Sequence, residues 1–443
     1  MKNKLLSFLC VIFVLCNALF AFSACNSGGG SGLVKAEIND KGELVLIYEN
    51  GDEENLGVVV GKDGKDGKDG DGGSAGSVVI TGEGSNVPAA CAKGLRSSVS
   101  VVCNFTKTVQ GSGYYPGTGG TKTEKYSSLG SGVIYQLDKE SGSAFIITNY
   151  HVVYDVDSDS EKGISEDVSV YLYGAEIADK AIKATYVGGS LYYDIAVLYV
   201  ENSDILKTSD AAAVELADSN NVFVGDTAIA IGNAKGGGIS ASVGIISVDS
   251  EKITMTGADE VTSVSFRLMR VDTAVNSGNS GGGVFDENGR FIGIVNLKLV
   301  DDGVENIGYA IPSSVASSVA QNIIDYCYET ELERVQRAML GITVITEDSK
   351  GVYNTETGRM SIVETVAIYE ISSTSLVSGK LKTGDVLVSA SLGDKAIEIT
   401  RQHHIVDFML DARVGDELTV TVLRGDSLET VTVEITEDCL TEY

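Results

Sequence analysis

The feature that most constrains the fold is a succession of short β-branched segments between about Val87 and Pro312, separated by glycine, asparagine and aspartate. We interpret as strands the segments SVSVVCNF, SGVIYQL, SAFIITNY, DVSVYLYG, AIKATYVG, DIAVLYV, DTAIAIG, GIISVDS and VSFRLMRV. Many short strands with turn residues between them are typical of β-barrels and β-sandwiches. The sequence therefore predicts a mainly β fold.

One helix is predicted at the end of this β-rich part, where Pro312 and the two following serines provide a start signal. Its apolar residues recur on one face at Val315, Val319, Ile323 and Cys327. The helix therefore leads out of the β-rich part toward the last hundred residues of the chain.

Length and composition limit the classes of protein that the chain can belong to. The 443 residues leave room for two or three domains, and 43% hydrophobic with 21% charged residues indicates a globular protein. Lysine and arginine number 33 against 62 aspartate and glutamate, which gives a net charge of -29. Such a surface repels phosphate groups, so no nucleic-acid partner and no basic membrane-binding patch is expected.

The first residues have the pattern of a secretory signal, predicted over residues 1–24. Lys2 and Lys4 precede an apolar run from Leu5 to Phe22, and small residues lead to Cys25. This end resembles the bacterial lipobox, in which the cysteine is lipidated, although Phe22 departs from the usual aliphatic residue. An ordinary cleaved signal and an uncleaved anchor remain as alternatives. The resemblance predicts an extracytoplasmic lipoprotein held at the bacterial membrane through Cys25.

Four further cysteines follow the signal, at Cys91, Cys103, Cys327 and Cys439. None forms a C-x-x-C pair, so a cysteine zinc site is not expected, and the sequence indicates no cofactor. Cys103 alternates with valines in a predicted strand and is interpreted as a core residue. A disulfide between Cys91 and Cys103 is left open.

The remaining organisation is predicted from changes in composition along the chain. Residues 25–33 are a Gly/Ser-rich lipidated tether, and residues 34–86 hold a small β-hairpin and a Gly-Lys-Asp spacer of undetermined function. The β-rich part is assigned to residues 87–330. A last mixed part, residues 340–443, has four strand-like segments and a short helical pattern in RQHHIVDFMLDA.

Candidate catalytic residues are few because the chain has only three histidines, His151, His403 and His404. His403 and His404 are predicted to be partly exposed surface residues. Asp194 opens an apolar strand, where a lone buried charge would be costly. Ser280 lies in NSGNSGGG, whose glycines allow a tight turn with inward-pointing amides. Serine catalysis needs such amides, a base and an acid that orients the base.

The order His151, Asp194, Ser280 in a chain of short strands matches the chymotrypsin-like double β-barrel. From residue 87 onward the chain resembles the HtrA (Deg-type) serine proteases, in the motifs GSGVI, TNYHVV, YYDIAVLYV, VGDTAIAIGNAKG, SVGIIS, DTAVNSGNSGGGVF, FIGIVNL and IGYAIPSS. Ser277 and Gly283 stand where the family usually has proline, which suggests a looser loop. The family is commonly trimeric or larger, which implies a homo-oligomer here.

The resemblance implies His151 as general base, Asp194 as its orienter and Ser280 as nucleophile. The amides of Gly278 and Ser280 would form the oxyanion hole. Residues of two further segments would pair with the substrate backbone or wall the specificity pocket: Val295, Asn296, Leu297, Ile307, Gly308, Tyr309 and Ala310. The activity implied is acyl-enzyme cleavage of unfolded or damaged extracytoplasmic proteins.

The last part resembles a PDZ domain in two stretches, AMLGI (residues 338–342) and SGKLKTGDVLVSA. The resemblance implies that a peptide carboxylate binds the amides of Met339, Leu340, Gly341 and Ile342, and that peptide C-termini are partners. Two alternatives stay open for the whole chain. One is a chaperone or peptide-binding lipoprotein with little hydrolytic activity, and the other is a surface adhesin.

Overall fold

The computed structural model describes residues 33–38, 43–48, 50–58, 86–110, 121–298, 307–328 and 335–442. The predicted signal peptide, Cys25, most of the tether and the Gly-Lys-Asp spacer lie outside these residues. No helix in these ranges has the length and apolar character needed to cross a membrane.

The described residues before Gly82 form an antiparallel three-stranded sheet. Its strands are β1 (Leu33–Ile38), β2 (Glu43–Tyr48) and β3 (Glu53–Val58), in that order across the sheet. The predicted hairpin corresponds to β2 and β3, so β1 is an addition to the prediction. Its LVKAEI segment follows directly on the Gly/Ser-rich tether, which obscured the start of a strand.

The first barrel is a closed six-stranded sheet with the order β4-β5-β6-β9-β8-β7. Its strands are β4 (Ser98–Gln110), β5 (Thr121–Asp138), β6 (Ser143–Thr148), β7 (Asp167–Leu172), β8 (Ile182–Ser190) and β9 (Ile195–Val200). Side chains of a strand point alternately inward and outward. Val99, Val101, Cys103 and Phe105 of β4 are accordingly buried together, which confirms Cys103 as a core residue.

A second closed barrel follows, with the order β10-β11-β12-β15-β14-β13. Its strands are β10 (Thr227–Gly232), β11 (Ser240–Thr256), β12 (Ser263–Val271), β13 (Gly283–Phe285), β14 (Phe291–Lys298) and β15 (Gly308–Pro312). The two closed six-stranded barrels confirm the predicted mainly β, chymotrypsin-like double-barrel class.

The helix that follows the second barrel in the chain was predicted from the sequence, whereas the helix that precedes the first barrel was not. The predicted helix is present as α4 (Ser313–Ile323) and continues as a wider turn to Tyr328, with its four apolar residues buried. Two short helices are α2 (Tyr150–Val153), between β6 and β7 of the first barrel, and α3 (Asp204–Thr208), between β9 and β10. All four cysteines of the described residues are free thiols.

Helix α1 (Val87–Ser97) was not predicted, because its residues were included in the β-rich part. The available signals were a proline at its start and small residues at helical spacing. Gly94 brings the helix close to the second barrel: a Cβ there would lie 2.6 Å from Cδ1 of Ile231. The missing side chain is therefore what allows this packing.

The C-terminal region, residues 335–442, has its own apolar core. Its main sheet has the order β17-β18-β19-β21-β22, with β20 beside β19, and a separate pair joins β16 to β23. The elements are β16 (Gln336–Ala338), β17 (Ile342–Asn354), β18 (Arg359–Ile371), β19 (Val386–Leu392), β20 (Lys395–Glu398), α5 (Gln402–Phe408), β21 (Glu417–Arg424), β22 (Ser427–Glu434) and β23 (Leu440–Glu442).

Ion pairs join α5 to the second barrel. Asp407 contacts Arg267, and both side chains are about 90% buried, with relative exposures of 10% and 11%. Next to this pair, Nη1 of Arg401 lies 2.7 Å from Oδ2 of Asp249. Asp407 of α5 and Arg401, the residue just before this helix, therefore hold the two parts together through ion pairs.

His403 is partly exposed, as predicted, whereas the expectation of partial exposure is wrong for His404. Nδ1 of His403 lies 3.3 Å from Oγ of Ser250 on β11, and His403 is half-buried. His404 is 8% exposed, and its Nδ1 lies 2.9 Å from the carbonyl oxygen of Glu398. The helical pattern alone did not show that His404 would pack against Glu398.

We expect Asp407→Leu to destabilise the protein by about 3–5 kcal/mol, because it leaves the buried guanidinium of Arg267 without its partner. The double change Arg267→Met with Asp407→Leu should be much milder, since no unpaired charge remains. Arg359→Met serves as the control, because Arg359 pairs with Asp226 at 2.9 Å while 45% exposed. It should cost less than about 1 kcal/mol. Urea titration measures all three variants. A double variant that is destabilised at least as much as Asp407→Leu would contradict the account.

Candidate active site

The pairing of β6 with β9 brings His151 and Asp194 together. Thr148 at the end of β6 lies opposite Ala196 near the start of β9. His151 follows Thr148 in the short helix α2, and Asp194 directly precedes β9. Two side chains separated by 43 residues in the sequence therefore meet at one end of the first barrel.

Hydrogen bonds between these two residues fix the orientation of the His151 imidazole. Nδ1 of His151 lies 2.7 Å from Oδ2 of Asp194, and the backbone N–H of His151 donates to Oδ1 at 2.9 Å. Asp194 is 7% exposed and has a φ of +49°. This backbone conformation is unfavourable for a non-glycine residue. Nδ2 of the buried Asn149 donates to the Asp194 carbonyl at 2.8 Å and holds that conformation in place.

The carboxylate controls the protonation of the imidazole. Burial of the ring lowers the pKa of His151, but the negative charge of Asp194 and its hydrogen bond outweigh burial and raise the pKa above its ordinary value. At His403 and His404 the balance is reversed, because burial and then chiefly the nearby Arg267 lower the pKa of each ring.

Ser280 lies on the loop that connects β12 to β13, and two glycines give the loop its shape. Gly278 has a φ of +95° and Gly281 a φ of +83°. A Cβ at Gly278 would lie 2.3 Å from the carbonyl oxygen of Asn233, and one at Gly281 would lie 2.2 Å from that of Ser131. Both positions therefore require glycine for conformation and for space.

The first barrel holds this loop through Ser131 of β5. The Ser131 hydroxyl donates to the carbonyl of Gly278 at 2.7 Å and accepts the N–H of Asn233 at 2.8 Å. The Ser131 N–H donates to the carbonyl of Ser280 at 2.8 Å. Ser131 was not singled out in the sequence, although it is the serine of the motif GSGVI.

The loop leaves two backbone donors for a ligand. Across the ranges that the structure describes, the amides of Gly278 and Ser280 have no acceptor, whereas the N–H of Asn279 donates to the carbonyl of Asn276 at 2.9 Å. Such a pair of amides beside a serine can stabilise a negatively charged oxygen.

Asn296 on β14 connects the serine to the aspartate. The hydroxyl of Ser280 donates to the Asn296 carbonyl at 3.2 Å, and Nδ2 of Asn296 donates to Oδ2 of Asp194 at 2.6 Å. The prediction assigned Asn296 to substrate pairing through its backbone, so the contact of its side chain is a new feature.

The other predicted substrate residues lie on β14 and β15, two adjacent strands. Val295 lies opposite Ala310, and Leu297 opposite Tyr309. The N–H of Val295 donates to the carbonyl of Gly282 at 2.8 Å, so it is not available to a substrate strand, which corrects the expectation for Val295. Gly308, Tyr309 and Ala310 are buried, and Ile307 is half-buried.

The predicted carboxylate loop leads into β17, the outermost strand of its sheet. Gly341 has a φ of +71°, and the carbonyl of Leu340 accepts the Ser375 hydroxyl at 2.6 Å. The N–H of Met339 donates to the carbonyl of Cys439 at 2.8 Å. The expectation for Met339 is therefore corrected, because its amide is already engaged, while Leu340, Gly341 and Ile342 remain candidates.

Comparison with known proteins agrees with the class that the fold and site define. The family model of the trypsin-like peptidase domain matches residues 130–294. The chain is 30% identical over 370 residues to the serine protease Do-like HtrA of Lactococcus lactis subsp. cremoris (strain MG1363), covering 80% of this chain and 83% of that protein. The chain belongs to the HtrA family of trypsin-like serine proteases.

Two further relatives are matched over only part of their length. The serine protease Do-like HtrA of Bacillus subtilis (strain 168) is 30% identical over 311 residues, covering 68% of this chain and 61% of the relative. The periplasmic serine endoprotease DegP of Escherichia coli (strain K12) is 29% identical over 320 residues, covering 72% of this chain and 59% of the relative. The chain thus spans about three-fifths of the length of these two proteins.

The three histidines allow a direct test of the site's electrostatics by NMR titration. We expect one ring to titrate above about 6.5 and two below it, because Asp194 stabilises the imidazolium of His151 while burial opposes charge at the other two. His151→Ala assigns the first resonance. Asp194→Asn should lower its midpoint, since the neutral amide removes the attraction. A His151 midpoint that is unchanged in Asp194→Asn would contradict this account.

Proposed function

We propose that the chain is a serine endopeptidase of the HtrA type. The observation that supports this most strongly is the hydrogen-bonded connection of Ser280 through Asn296 to Asp194, which orients His151, beside the amides of Gly278 and Ser280. The Ser280 hydroxyl and the imidazole come from different barrels, so the cleft between the barrels is the proposed reaction site.

In the proposed reaction His151 takes the proton of the Ser280 hydroxyl while Oγ attacks the peptide carbonyl carbon. The amides of Gly278 and Ser280 stabilise the oxyanion that forms on the carbonyl oxygen. The imidazolium then gives its proton to the departing amine, and an acyl-enzyme remains on Ser280. Water, deprotonated by His151, hydrolyses this ester and restores the serine.

We propose unfolded or damaged extracytoplasmic polypeptides as substrates, because only an unfolded chain can extend along the end of β14, at Asn296 and Leu297, beyond its pairing with β13. The resemblance of the N-terminus to a lipobox and the similarity to the periplasmic serine endoprotease DegP support an extracytoplasmic location. Anchoring through Cys25 and assembly into a trimer or larger oligomer belong to the same proposal.

Triad variants test the catalytic proposal. Ser280→Ala, His151→Ala and Asp194→Asn should each lower the rate of casein cleavage by roughly 10⁴-fold, because each removes one member of a unit. Ser280→Ala with His151→Ala should be little worse than either change alone. Ser277→Ala in the same loop is the matched control and should retain most of the activity. Casein cleavage that persists in Ser280→Ala would refute the serine mechanism.

We further propose that the C-terminal region is a PDZ domain that binds free C-termini of polypeptides. Its support is the position of β17 at the edge of the sheet, directly after a glycine turn at Gly341. A peptide would extend the sheet at this edge, and the amides of Leu340, Gly341 and Ile342 would receive its carboxylate.

Peptide binding to full-length Ser280→Ala, which cannot consume the peptide in the proposed mechanism, tests this assignment. A peptide with a free carboxylate and an apolar last residue should bind about 10- to 100-fold more tightly than its C-terminal amide, because charge-assisted hydrogen bonds are lost on amidation. Fluorescence anisotropy measures both affinities. Equal affinities of the acid and the amide would show that no carboxylate site exists in this loop.

A further inference from the structure

Lys235 has a backbone conformation that a lysine does not favour. It lies in the turn after β10, in the sequence NAKGGGI, with a φ of +56° and a ψ of +22°. This left-handed conformation is unfavourable for a residue with a Cβ, whereas glycine adopts it freely. Glycines occupy the next three positions, residues 236–238. The shape of the turn therefore does not explain why a lysine occupies position 235.

Hydrogen bonds hold this turn against the loop that carries the proposed nucleophile. The N–H of Lys235 donates to the carbonyl of Ser277 at 2.7 Å, one residue before Gly278 of the proposed oxyanion hole. Within the turn, the N–H of Gly238 donates to Oδ1 of Asn233 at 2.8 Å. The backbone of Lys235 is therefore fixed beside the place where the peptide carbonyl would bind.

The ammonium group of Lys235 is available to a ligand. The side chain is exposed, and within the ranges that the structure describes its ammonium has no ion pair and no hydrogen bond. The carboxylate of Glu176, which reaches the same turn, accepts the N–H of Ile239 at 2.9 Å. On a chain with a net charge of -29, an unpaired cation at this place makes the potential beside the site locally more positive.

The order of strands in the second barrel puts Lys235 on the leaving-group side of the proposed nucleophile. Strand β13 lies between β10 and β14 and pairs with both. Ser280 precedes β13, while Asn296 belongs to β14 and Lys235 follows β10. The part of a substrate before the scissile bond is proposed to extend along β14. Beyond Ser280 the substrate therefore continues toward the end of β10, where Lys235 lies.

We propose that Lys235 is a specificity-determining residue, whose ammonium attracts an aspartate or glutamate within the first two substrate residues after the scissile bond. The proposal rests on the serine-protease function proposed above. Each further residue of an extended substrate lies about 3.3–3.6 Å farther away, so the attraction is strongest near the scissile bond.

The neighbouring side chain of the first barrel does not oppose this preference. Leu129 is 46% exposed, and a Cβ at Gly236 would lie 2.9 Å from its Cδ1. An apolar residue adds no charge that competes for the substrate carboxylate. The contact with Lys235 would be an exposed ion pair, which selects among substrates by charge rather than by a rigid geometry.

The test measures kcat/KM of the full-length chain on internally quenched fluorogenic peptides. Mass spectrometry of casein digests first locates a scissile bond, and matched peptides then carry glutamate, glutamine or lysine at each of the next two positions. At one of them the wild-type chain should prefer glutamate over lysine by about 3- to 10-fold, because attraction replaces repulsion. In about 1 M salt this preference should shrink, since the screening length falls to about 3 Å.

Lys235→Asn should remove the preference, because asparagine tolerates the left-handed backbone and carries no charge. Lys235→Glu should reverse it. Lys183→Asn is the matched control, since it changes the net charge equally at an exposed lysine near the start of β8, whose other end leads to Asp194. It should keep the wild-type preference.

Two outcomes would overturn the role of Lys235. One is cleavage by the wild-type chain without a preference for glutamate at either position, and the other is a preference that Lys235→Asn and Lys235→Glu both retain. Ser280→Ala in the same assay separates the two proposals. Cleavage that persists there would refute the serine-protease function itself, whereas an inactive Ser280→Ala beside an indifferent wild type would refute only the specificity assigned to Lys235.

Discussion

The candidate site depends on keeping one carboxylate charged in a nearly solvent-free position. Asp194 is buried at the start of β9, where an isolated charge would be strongly unfavourable. His151 and Asn296 supply the hydrogen bonds that offset this cost, and Asn149 holds the strained backbone of Asp194 in place. Because these groups come from both barrels, the hydrogen bonds around Asp194 form only when the two barrels pack against each other.

A second constraint acts on the loop of Ser280. Glycine is required at positions 278 and 281, since any side chain would meet a carbonyl oxygen at less than 3 Å. Ser131, buried in the first barrel, bonds to the carbonyls of both Gly278 and Ser280. The loop therefore keeps a defined shape through glycine conformation and one cross-barrel contact, although Ser277 and Gly283 replace the prolines expected from the family.

Most of the features predicted from the sequence depend on local periodicity or on spacing along the chain. Alternation at Val99, Val101 and Cys103 predicted the buried face of β4, and the spacing of Val315 and Val319 predicted α4. Packing between distant segments was not predictable: His403 is partly exposed as predicted although it contacts Ser250 of the second barrel, whereas His404 is buried. The roles of Ser131 and Asn296 were missed for the same reason, because both depend on a side chain that reaches the other barrel.

Mass spectrometry after reaction with a serine-directed phosphonate would test the central claim most directly. The reagent forms a covalent bond only with a serine whose hydroxyl is activated by a base beside an oxyanion site. We predict one adduct per chain, located on the peptide that contains Ser280, and its loss in His151→Ala. An unmodified Ser280, or an adduct that forms equally well without His151, would contradict the account.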